Sequence, residues 1–228
     1  MKNMLTLNHS TIRCLLLISL SVVCILLTVI RQAITGKSTY NFLNWNLFLA
    51  ALPWLISMLT ALRFTKKERW YLSFILLFTW FLFLPNAFYI ITDLIYLMNH
   101  SEYLFWYDLF MMLIFSWTGF LFGYFSIEQI VDLYARKLSK LKSTLITIVL
   151  LFICAFGVYL GRDLHWNSWD IFIDPHNFFL DVLDRFLKPF EHGRTWRFTL
   201  IMGTFLNVIY WPYILINKIF NNHQNLNN

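Results

Sequence analysis

Apolar positions along the chain gather into six long blocks separated by short polar clusters. The blocks cover approximately residues 12–30, 43–62, 70–91, 104–126, 144–160 and 198–217. Each is close to the roughly 20 residues of helix needed to cross a bilayer. Inside hydrocarbon every backbone N–H and C=O must be satisfied within the segment, so the blocks predict helices. A membrane barrel would alternate apolar and polar residues with period two, and these runs are continuously apolar. The pattern therefore predicts an all-α polytopic protein with six transmembrane helices. They form one domain over residues 1–220, followed by an Asn-rich disordered tail at 221–228.

One connection, residues 161–197, is too long for a simple joint and predicts structure of its own. Within it, Asp174-Pro175 reads as a helix N-cap followed by proline at the first helical position. Phe179, Leu183, Phe186, Leu187 and Phe190 then share one face, and Asp181, Asp184, Arg185 and Lys188 the other. The i,i+4 pairs Asp181–Arg185 and Asp184–Lys188 support the helix. An amphipathic helix of this kind lies flat in the headgroup layer; packing as a lid over the other helices is the compatible alternative.

Composition agrees. Of 228 residues, 59% are hydrophobic and only 13% charged, against about 45–50% and 25% in soluble domains. So few charges could not cover a soluble surface. The same figures exclude a disordered chain, a collagen, a coiled coil and a disulfide scaffold. Cys14, Cys24 and Cys154 all fall inside apolar blocks and read as core residues. The first block lacks a small-x-small cleavage site, and valine precedes Cys24, so it predicts a retained helix rather than a signal peptide.

Lys and Arg alternate between the two sides. Lys2, Arg13, Arg63, Lys66, Lys67, Arg69, Arg136, Lys137, Lys140, Lys142 and Lys218 fall on one side; Arg31, Lys37, Arg162, Arg185, Lys188, Arg194 and Arg197 fall on the other. The positive-inside rule then places both termini in the cytoplasm. The basic pI of 9.3 is on this reading a topology signal and a contact with anionic membrane lipids, not a sign of nucleic acid. Only Glu68, Glu128 and Asp132 of the twelve acids face inward, and four of six histidines (His100, His165, His176, His192) face outward. The polar chemistry thus gathers at the outer boundary.

Two segments concentrate it. Block three ends Leu84-Pro85-Asn86-Ala87-Phe88-Tyr89-Ile90-Ile91-Thr92-Asp93, where Pro85 should kink the helix and Asn86, Ile90 and Asp93 fall on one stripe. The plainer reading has Asn86 repairing the kink and Asp93 marking the water boundary. Block five runs on into Gly161-Arg162-Asp163-Leu164-His165-Trp166-Asn167-Ser168-Trp169-Asp170, where the tryptophans alone would suit an interfacial belt. A belt does not explain the charges beside them, and an Arg162–carboxylate pair would satisfy such charges near lipid. Asn46 and Asp108, at the starts of blocks two and four, reach the same level. Asp93, Asp163 and Asp170 are the acid–base candidates. Asn46, Asn86, Asp108, Arg162, Trp166, Asn167 and Trp169 are the substrate-binding candidates. The carboxylates and His165 would suit a hard divalent cation, but no His-x-x-x-His or Glu-x-x-His pairing accompanies them, so neither a metal nor a cofactor is expected. Hydrolase, P-loop and dinucleotide fingerprints are absent from the sequence. Gly119-x-x-x-Gly123 and Gly157-x-x-x-Gly161 suit close helix packing within the chain, and also permit a homodimer or a membrane-protein partner.

Three runs in order, Trp45-Asn46-Leu47-Phe48-Leu49-Ala50, Leu84 through Leu94, and Tyr159 through Asp170, resemble the hallmark segments of a bacterial membrane-protein family catalogued as domain of unknown function 1361. The likeness extends from about Asn41 through the last block. It implies a multipass protein of the bacterial plasma membrane and cell envelope, with no assigned activity. Tyr96 stands where that pattern leads us to expect histidine, so an imidazole role there does not carry over. Three functions fit the sequence: action on, or binding of, a lipid-linked or headgroup envelope substrate; transport of a small solute or lipid; and a non-catalytic scaffold. Transporters usually place their sites near the midplane on broken helices built from inverted repeats; here no Asp, Glu, Lys or Arg stands at mid-block and no repeat is visible, although Pro85 and the Trp211-Pro212 step could break helices.

Overall fold

The computed structural model describes residues 9–64, 70–99, 102–135 and 139–226. The cationic runs at 66–69 and 136–137, which weigh most in the orientation argument, lie outside the described residues, as does His100. Every described element is helical: α1 His9–Thr35, α2 Phe42–Phe64, α3 Trp70–Tyr89, a 3₁₀ segment Ile90–Asn99, a short 3₁₀ turn Glu102–Leu104, α4 Phe105–Ala135, α5 Lys140–Asp163, α6 Asp170–Ile173, α7 Pro175–Leu187 and α8 Gly193–Leu226. Six of these stretches are long and apolar enough to cross a membrane: Ser10–Thr35, Phe42–Arg63, Tyr71–Met98, Phe105–Tyr134, Leu141–Asp163 and Gly193–Leu215. They coincide with the six predicted blocks, and the fold is all-α and polytopic. Helix α8 continues to Leu226, through most of the Asn-rich stretch.

The chain divides into two compact units, Met1–Gln129 and Ile130–Asn228. In the first, α4 is the central helix and touches the other three. Helix α1 runs against it, through Arg13–Glu128 at one end, Cys24–Thr118 midway and Arg31–Asp108 at the other. Helix α3 also runs against it, with the Trp80 indole donating to Ser126 and Phe88 packed on Phe120 and Tyr124. Helix α2 runs alongside, through Trp54–Phe122 and the Ser57 hydroxyl donating to Gln129. The Gly119–Gly123 pair is what lets α3 approach. A Cβ at Gly119 would stand 2.6 Å from the Ala87 carbonyl oxygen, and one at Gly123 would stand 2.6 Å from the Phe88 ring. Their packing is therefore within the chain.

The third span departs from the predicted continuous α-helix. After Tyr89 the winding tightens to 3₁₀, with the Thr92 hydroxyl donating to the Tyr89 carbonyl at the junction. At three residues per turn, Ile90 and Asp93 stand directly above one another, and both are buried.

In the second unit α5 and α8 pair antiparallel, through Phe156–Trp196, Tyr159–Phe198 and the end-to-end ion pair Asp163–Arg194. The connection between them folds into α6 and α7. Asp174 caps α7 by accepting from the Asn177 amide, with Pro175 at the first position. Both expected i,i+4 pairs form, Arg185–Asp181 at 3.5 Å and Lys188–Asp184 at 3.2 Å. One expectation for α7 fails: Arg185 is not on a solvated polar face but buried. The helix has three faces rather than two. Arg185 is buried, and Phe178, Asp181 and Val182, which share its side of the helix at i, i+3 and i+4 before it at i+7, are half-buried, with Trp166 meeting Phe178. Phe179, Leu180, Leu183 and Leu187 stay exposed, each at 51% or more.

Candidate functional site

At one end of the first unit, the last turns of α1 meet the first turn of α4. Arg31 grips Asp108 with two parallel bonds, Nε to Oδ1 at 2.6 Å and Nη2 to Oδ2 at 3.0 Å. This fork-to-carboxylate geometry is the strong form of the interaction. Both side chains are buried, and the Tyr40 ring covers the guanidinium at 4.2 Å. Burial, reinforced by the Asp108 charge, pushes the Tyr40 phenol up to about 12, so it stays neutral. Tyr107 donates to the Leu27 carbonyl, and Asn44 pairs with Thr28. Close by in the chain, Asn46 on α2 donates to Asp93 at 2.9 Å, joining two of the sequence-predicted residues. Asn86 donates instead to the Phe83 carbonyl.

The second unit gathers the remaining candidates at the end of α5. That helix closes with His165 in the left-handed region at φ 63° and the Trp166 amide donating to the Leu160 carbonyl. Asp163 pairs with Arg194 at 2.5 Å. Trp166 donates through its indole to Asp181 at 2.8 Å. Asp170 accepts both the backbone amide of Asn167 at 2.6 Å and its side-chain amide at 3.1 Å, so this carboxylate shapes the turn that starts α6. Trp169 stands just before α6, and Arg162 lies half-buried in the last turn of α5. Sequence reasoning missed Arg31, Tyr40, Arg185 and Arg194. Arg31 was legible: Leu17, Cys24, Thr28 and Arg31 form one buried stripe with helical spacing. Arg194 carried no local signal, because its partner comes from another helix.

Among the described residues no group of three or more His, Cys, Asp or Glu side chains is placed to hold a metal ion. The family model described as Protein of unknown function (DUF1361) matches residues 45–209. The chain belongs to that family. No curated protein and no solved structure matches it. The DUF1361 match takes in the 3₁₀ segment with Asp93, the whole of α7 and the α5–α8 ion pair, and so covers most of the polar residues described above.

Proposed function

We propose that this DUF1361 protein binds the headgroup of a membrane lipid or lipid-linked molecule at the outer boundary of a bacterial plasma membrane, with both termini in the cytoplasm. The observation that carries this reading is α7. It lies among the polar residues at the ends of two membrane-length helices, pinned along one flank, and leaves Phe179, Leu180, Leu183 and Leu187 bare. An apolar strip of that length beside hydrogen-bonded polar groups is the arrangement of a helix resting in the headgroup layer. Binding rather than turnover fits the carboxylates. Asp93 accepts from Asn46, Asp163 is paired with Arg194, and Asp170 holds a turn. A carboxylate already engaged in this way is a positioning group before it is a base.

Native mass spectrometry of protein released from mild detergent tests the reading. Wild type should arrive with phospholipid attached, and the double variant Leu183→Asp, Leu187→Asp should lose most of it. Lipid-free wild type, or a variant with an unchanged complement, contradicts the proposal.

A further inference from the structure

Nine serine and threonine side chains are buried among the described residues. Seven of them, Thr28, Ser57, Thr60, Ser116, Thr118, Ser126 and Thr147, donate to a carbonyl one turn back in their own helix. Thr195 and Thr199 do not; their hydroxyls are buried without a partner. They stand at i and i+4 in the first two turns of α8, on one face. Among the other buried atoms without a hydrogen-bond partner, Arg185 Nε lies on α7. The two helices meet there: the Trp196 indole donates to the Arg185 carbonyl at 3.2 Å, and the Phe186 and Trp196 rings are 5.1 Å apart. Buried polar atoms without partners are rare and costly, and each calls for an explanation.

Their chemistry points one way. Arg Nε–H can only donate, and both hydroxyls can donate. They adjoin the N-terminal end of a 34-residue helix, the positive pole of its dipole, where anions are favoured. The neighbouring carboxylates are already engaged, Asp181 by Trp166 and Arg185, and Asp163 by Arg194. We infer that Arg185 Nε, Thr195 Oγ1 and Thr199 Oγ1 together hold a phosphate group, whose several acceptor oxygens match three donors. This rests on the headgroup reading above and names the part of the headgroup that is recognised. A phospholipid and free phosphate share that chemistry.

The test uses full-length protein in detergent, with melting temperature read against added dihexanoyl-phosphatidylglycerol, dihexanoylglycerol or inorganic phosphate. At about a hundredfold over Kd, phosphatidylglycerol should raise the wild-type midpoint by roughly 5 °C, and dihexanoylglycerol should not. An equal rise with inorganic phosphate would support the site and identify the free anion as its ligand. The paired variant Thr195→Val, Thr199→Val keeps the shape and removes the hydroxyls. Without ligand it should melt at or above wild type, because two unsatisfied groups are gone; with ligand it should lose the shift and bind at least about tenfold more weakly. Arg185→Gln should lose the shift as well. A full shift retained by the valine pair, or no shift in wild type with any phosphate probe, overturns the site. Phospholipid retained in native mass spectra alongside either result would leave the headgroup reading standing while the phosphate site falls.

Discussion

A guanidinium and a carboxylate lose most of their hydration when buried together, and their attraction restores it only if the geometry is good. Arg31 and Asp108 meet that condition with two short bonds, so removing one partner should cost more than removing both. Asp108→Asn should destabilise the protein by about 3–5 kcal/mol. The double replacement Arg31→Met, Asp108→Leu should lie closer to wild type. Denaturant unfolding in micelles measures both, and an Asp108→Asn midpoint equal to wild type would contradict the assignment. A solvated counterpart sits at the end of α7. Hydrogen bonds from His192 and then Lys188 hold the Asp184 carboxyl below its usual 3.8, and Asp184 holds Lys188 above its usual 10.5. A depressed acid stabilises above its unfolded pKa, and the contribution is lost as pH falls through the folded one. A raised base stabilises below its unfolded pKa, and that is lost as pH rises through the folded one. Hydrogen exchange across 184–192 should therefore show steady protection between these limits and faster opening below about pH 3.8. Protection that is flat into strong acid would show that the contacts do not hold the helix end.

At the scale of elements, the six spans were legible because apolar length alone distinguishes a membrane helix. The cap and both ion pairs of α7 were legible because each depends on fixed local spacing. The inward turn of Arg185 was not, since a two-faced pattern cannot say which edge of the polar face will meet neighbouring helices. The tightening at Ile90 was likewise hidden: the sequence favours helix there without indicating which winding. Helix contact through Gly119 gives a sharp expectation. Gly119→Ala drives a methyl into the Ala87 carbonyl oxygen and should destabilise by about 1–3 kcal/mol. Gly193→Ala, with nothing within 4 Å of the added carbon, serves as a control and should change stability by less than about 0.5 kcal/mol. Equal melting of the two variants would mean that α3 and α4 pack more loosely than described.

Among the described residues the charged side chains lie towards helix ends, while the middles of the spans hold apolar side chains with a few buried hydroxyls and thiols, such as Ser57, Ser116, Thr118 and Cys24. The sequence places the candidate residues at a common depth and leaves their lateral arrangement open. Within the first unit the structure joins Asn46 to Asp93 and Asp108 to Arg31; within the second it joins Asn167 to Asp170 and Trp166 to the α7 helix. Depth could be read from position in each span, but lateral pairing could not, because it depends on which helices become neighbours. Headgroup binding as proposed requires α7 to rest in a headgroup layer, and a nitroxide attached at position 183 in liposomes measures this directly. Its depth should come out at about 5–10 Å beneath the headgroup boundary, with lipid-like oxygen collisions and little access for water-soluble nickel. A label at position 183 that is open to nickel and shielded from the lipid would contradict it.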